Sequence, residues 1–125
     1  MSALTAIDVL IEPDPAMLAR AQRENERMLT SVPSPPGFHL DENHRPHITT
    51  LQRYVRSSAL DDVYAAIAEV RHIVDLNDLT FTAEKIEHME VQPGVGIAAV
   101  VVTPGPEVLD FQASLIDALK PFVGS

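Results

Sequence analysis

The sequence contains no cysteine. That removes disulfides, thiolate metal sites and cysteine nucleophiles from consideration, and it fits a reducing cytoplasm. Long apolar runs are missing too: nothing approaches the roughly eighteen residues needed to span a bilayer. The opening MSALTAIDVLIEPDP has no basic segment, and its apolar run of about five residues is too short for a secretory signal. Basic residues are scarce. Nine Lys and Arg stand against eighteen Asp and Glu, a formal net charge of −9. A broad phosphate-binding surface needs clustered Lys and Arg, and no basic run occurs here. A bound phosphate would have to sit in a small local pocket, against the field of the whole chain. The acidic excess otherwise reads as solvated helix faces.

What is present reads as one α+β domain. A length of 125 residues allows a single core, and 46% hydrophobic with 22% charged residues is ordinary for a globular protein. AIDVLIEP (6–13) is a compact apolar strand. Residues 14–29 read as a helix, with Asp14 as N-cap and Pro15 in the first position. Residues 30–43, TSVPSPPGFHLDEN, read as a proline-rich loop. A strand is expected from His47. Residues 58–75 form the clearest helix, with capping-box spacing at Ser58 and Asp61 and one apolar face made of Leu60, Val63, Tyr64, Ile67, Val70 and Val74. A strand over 79–91, a turn at QPGV and a strand over 96–102 make a hairpin. Pro106 opens a last helix over 106–119 and Pro121 closes it.

Two of these segments repeat. IDVLIEPDPAML (Ile7–Leu18) and AAVVVTPGPEVL (Ala98–Leu109) are both an apolar strand, Pro-x-Pro and a helix start, with Pro13 and Pro15 falling on Pro104 and Pro106 at an offset of 91. One lobe built twice is the simplest reading, with a first lobe over about 1–78 and a second over about 79–125. The same offset carries His47 to position 138, beyond Ser125. The expectation is therefore a second lobe short of one strand. Either the polypeptide continues past Ser125, or the open sheet edge pairs with a second copy in a homodimer.

The segment NHRPHITTLQRYV (43–55) raises the chemical question. By strand parity His47, Thr49, Leu51 and Arg53 share one face, and Ile48, Thr50, Gln52 and Tyr54 the other. An imidazole, a hydroxyl and a guanidinium on one face suit a ligand better than a core. The blander alternatives are a partly buried histidine with a satisfied hydrogen bond, a threonine chosen for strand propensity and an arginine in a surface salt bridge. Arg45, just before the strand, is a weaker candidate for contact with substrate. The density of His39, Asp41, Glu42, His44 and His47 also raises a divalent metal site, and with it a metal-dependent hydrolase, although their spacing matches no familiar ligand pattern. His72, near a helix end, and His88, in a strand, read as structural.

PHITTL, with His47 and Thr49, resembles the His-x-Thr/Ser signature of the two-histidine (2H) phosphoesterase superfamily, which includes 2'-5' RNA ligase-like proteins and cyclic phosphodiesterases. The order strand, helix, proline-rich loop, RPHIT, helix, hairpin, helix covers nearly the whole chain and resembles the first two-thirds of such a protein. The resemblance implies two similar lobes facing each other across a cleft. It implies metal- and cofactor-independent hydrolysis or ligation of 2',5' or 2',3'-cyclic phosphodiesters in RNA processing. Its substrate would be a small nucleotide or an RNA terminus bearing a cyclic phosphate, the acidic balance favouring the smaller. His47 would act as acid or base, Thr49 as a phosphate ligand, and Arg53 and Arg45 as substrate contacts. The family uses two His-x-Thr/Ser motifs. This chain has one: His39, His44, His72 and His88 are followed two residues later by Asp41, Pro46, Val74 and Glu90. With a single motif, the alternative is a non-catalytic nucleotide- or partner-binding module of the same fold.

Overall fold

The computed structural model describes residues 3–31 and 39–124. It is an α+β arrangement of two two-stranded antiparallel sheets and three α-helices. β1 (Leu4–Ile11) pairs with β2 (Ile48–Arg56), and β3 (Phe81–Gln92) with β4 (Val95–Pro104). The helices are α1 (Pro15–Ser31), α2 (Leu60–Ile73) and α3 (Pro106–Leu119). Among the described residues no helix is long and apolar enough to cross a membrane. The proline-rich loop expected over 30–43 falls outside the described residues at 32–38.

By its contacts the chain forms two compact units, Ala6–Arg53 and Met1–Thr5 with Tyr54–Ser125. In the first, β1 leads into α1 through Pro13, Asp14 and Pro15. The carboxylate of Asp14 accepts the backbone N–H of Met17 at 2.8 Å, and its carbonyl accepts that of Leu18 at 2.9 Å. The side chain thus satisfies a donor that the first helical turn leaves without an intrahelical partner. Asp14→Ala is expected to cost about 1 kcal/mol, and Asp14→Asn much less. Urea unfolding of the two variants measures the difference, and equal stabilities would show that the cap is not made in solution.

The second unit holds most of the core. Val63 and Val70 lie one above the other on α2, and Val108, Phe111, Leu115 and Leu119 line one face of α3; the two helices pack together, with Val55 and Ala59 buried as well. The expected face of α2 is present in part: Leu60, Ile67 and Val74 are half-buried, but Tyr64 is 60% exposed. The expected capping box is not made. A 3-10 turn over Ser57–Ala59 precedes the helix, and Ala59 occupies the N-cap position without a side-chain hydrogen bond. Burial of the Ala59 methyl takes priority over capping by Ser58. Backbone pairing also ties Val123 to Val55, while Gly124 N–H donates to the Tyr54 carbonyl at 2.9 Å and Arg56 donates to that of Pro121 at 2.7 Å.

The β3–β4 hairpin turns at Pro93–Gly94, where Gly94 has φ of 79°. Proline before a positive-φ glycine makes a type II turn. Such a turn does not match strand twist, and a register irregularity between Glu90 and Gln92 lies beside it. The second strand–Pro-x-Pro–helix passage, β4 into α3, carries Gly105 where the first carries Asp14. Gly105 N–H donates to the Thr80 carbonyl at 2.8 Å, and a Cβ there would run into the Thr80 hydroxyl. Close approach explains why a glycine, with no capping side chain, stands at this position.

Candidate functional site

The candidate residues His47, Thr49, Arg53 and Arg45 all belong to the unit Ala6–Arg53. Their placement begins with α1. Gln22 donates its amide to the Leu40 carbonyl at 3.1 Å, and Asn25 accepts the Leu40 N–H at 3.0 Å. Both backbone groups of Leu40 are thereby tied to the helix.

A tight turn follows. One carboxylate oxygen of Asp41 accepts the N–H of Asn43 and the N–H of His44, both at 2.9 Å, and His44 Nδ1 at 3.0 Å. Asp41 and His44 also exchange backbone hydrogen bonds at 3.3 and 3.2 Å. The donors, Asn43 N–H first and the His44 side chain next, hold the Asp41 carboxyl below its ordinary value of 3.8. A depressed folded pKa contributes stability that is present above the unfolded pKa and lost as pH falls through the folded one. The turn is therefore expected to open only on acidification below 3.8. Following the Asn43 and His44 amide shifts by NMR tests this. A midpoint at or above 3.8, or an unchanged response in Asp41→Asn, contradicts the assignment.

Of His39, Asp41, Glu42, His44 and His47, close in sequence, Asp41 and His44 touch at 3.0 Å. Among the described residues no group of three or more His, Asp or Glu is placed to hold a metal ion.

The chain then passes through Arg45 and Pro46 into β2. His47 stands just before the strand and is exposed, and its Nδ1 lies 2.9 Å from the Arg45 carbonyl. A carbonyl only accepts, so Nδ1 carries the proton and the lone pair of the neutral ring resides on Nε2. Thr49 is exposed as well. Further along the same parity, Leu51 and Val55 are buried and Arg53 is half-buried. The face bearing His47 and Thr49 is thus open at the start of β2 and closed toward its end.

The opposite face does not have one uniform environment. Gln52 and Tyr54 are exposed, whereas Thr50 is 5% exposed and donates its hydroxyl to the Val9 carbonyl at 2.8 Å. This bond satisfies a buried polar group and locks β2 onto β1. Arg53 donates to its neighbour's carbonyl, that of Gln52, at 2.8 Å. Arg45 is ion-paired with Glu12, and both side chains are more than half exposed. Solvent screens a pair of that kind, so breaking it costs little. Glu12, 33 residues from Arg45, carries no motif that marks it in the sequence.

Chemically the arrangement offers an imidazole Nε2 able to accept a proton, a hydroxyl two residues on able to donate to an oxyanion, and an arginine in a labile pair. Compared with known proteins, the chain matches no family model, no curated protein and no solved structure.

Proposed function

We propose that this chain is a protein of the two-histidine phosphoesterase type, with two lobes about a cleft, acting on 2',5' or 2',3'-cyclic phosphodiesters. One observation carries the reading: His47 is exposed, with Nδ1–H given to the Arg45 carbonyl, and the exposed Thr49 hydroxyl follows two residues later. In this scheme His47 Nε2 takes the proton of the attacking water, or returns one to the departing ribose oxygen. Thr49 donates to a non-bridging phosphoryl oxygen as charge grows there. Arg45, released from Glu12, and Arg53 supply positive charge to the phosphate. A second acid–base group is needed on the far side of the phosphorus. The presence of a single His-x-Thr in these 125 residues favours, as a second reading, a module that binds the phosphate without turning it over.

Incubation with a 2',3'-cyclic nucleotide and a 2',5'-linked dinucleotide, in EDTA and followed by phosphorus NMR, separates the two. Appearance of a monophosphate supports the enzyme. A phosphorus shift change without product supports the binding module. Neither turnover nor binding refutes both.

A further inference from the structure

The hairpin Phe81–Pro104 lacks cover. None of its described side chains is buried, and α3 touches β4 without changing that. Four large apolar residues stand open on it: Ile86 (41% exposed), Met89 (49%), Ile97 (47%) and Val100 (40%). The register sets Ile86 opposite Val100 and Met89 opposite Ile97, and the two pairs lie on opposite faces. Each face therefore carries one exposed apolar pair. A two-stranded hairpin alone is marginal in water and needs further strands or a packed face.

One edge of β4 faces β3. The other has no strand partner among the described residues. Natural edge strands are usually blunted by charge, an internal proline or a bulge. β4 has none of these devices: VGIAAVVVTP contains no charged residue, and its proline is the last residue. Both register shifts place their extra residue in β3, at Glu84 and at Val91, so β4 itself runs without a bulge.

We propose that β4 pairs edge to edge with β4 of a second copy of this chain, antiparallel, to form a four-stranded sheet in the order β3–β4–β4–β3. The charge distribution selects a copy as the partner. The charged residues of the hairpin, Glu84, Lys85, Glu87 and Glu90, all lie on β3. A second β4 brings no charge to the centre of the sheet. The two β3 strands then lie three strand spacings apart, about 14 Å, beyond the Debye length of about 8 Å at physiological salt. Two chains of net charge −9 meet along their least charged strand. Two-fold symmetry sets each face of β4 beside the same face of its mate, so the apolar strips of Val100 and of Ile97 each become continuous across the join.

Sedimentation and hydrogen exchange test this. Sedimentation is expected to give a species of twice 13.7 kDa. In a free hairpin only every other β4 amide, the set turned toward β3, is protected from exchange; in the paired sheet both sets are. Ile97→Lys combined with Val100→Lys, at two exposed positions, places four charges along the symmetric join and is expected to raise the dimer dissociation constant by roughly a hundredfold. Circular dichroism reports whether that variant is folded; if it is not, the exchange pattern of the unmodified chain decides. A 13.7 kDa monomer with alternating protection overturns the proposal. So does a dimer that the folded double variant leaves at full strength.

Discussion

His47→Ala is expected to lower turnover of a 2',3'-cyclic phosphodiester by about 10²–10⁴-fold, the contribution of one well-placed acid or base. The fold should not change, because the ring is exposed and its one hydrogen bond runs to a carbonyl two residues away. Two further replacements divide the work of the ring between its nitrogens. Asparagine retains a donor for the Arg45 carbonyl and has nothing at the Nε2 position. Glutamine reaches toward the Nε2 position and loses the anchoring geometry. If Nε2 is the nitrogen that exchanges a proton with substrate, His47→Asn falls as far as His47→Ala. EDTA should leave the unmodified protein unaffected. Full activity in His47→Ala, measured on cyclic nucleotide with folded protein, would remove the residue from the mechanism.

The largest effect on stability belongs to Leu115. It is fully buried on the face of α3 that packs against α2. Leu115→Ala removes its transfer free energy and leaves a cavity that close-packed neighbours fill only in part, at a cost of about 2–5 kcal/mol. Domains of this size have total stabilities of about 5–15 kcal/mol, so the substitution consumes a large share. Leu109 provides an internal control on the same helix, being 54% exposed. Leu109→Ala should shift stability by less than about 0.5 kcal/mol. Urea midpoints at a common m-value measure both, and similar losses for the two would mean that α3 does not bury this face in solution.

The elements most readable in the sequence are those fixed by local chemistry. Asp14 and Pro15 mark the start of α1, Pro106 opens α3 at the expected residue, and Pro93–Gly94 turns the hairpin. Each signal acts within a few residues. The misreadings arise where distant residues decide. Ser58 and Asp61 have the spacing of a cap, yet the core claims Ala59 and the helix starts after a 3-10 turn. Burial of Thr50 is a point that strand parity leaves undecided: its hydroxyl donates to the Val9 carbonyl, 41 residues away. The candidate site is legible to the same extent. His47 and Thr49 stand out as residue types on an open stretch of strand. The pairing of Arg45 with Glu12 and the anchoring of Leu40 by α1 are products of tertiary structure alone.

The Arg45 carbonyl that accepts the His47 Nδ1–H hydrogen bond lies in a constrained stretch of chain. Arg45 precedes Pro46, and a residue before proline is confined to extended conformations. Proline in turn holds its own φ near −65°. The proline φ is thereby fixed on the path between the acceptor and the imidazole that it holds. One backbone torsion that would otherwise be ordered when the ring is aimed is already fixed by the covalent structure of Pro46, in the unfolded chain as well as the folded one. His47 is exposed, so part of its bearing is set by the covalent structure of the residue before it, where burial does not hold it.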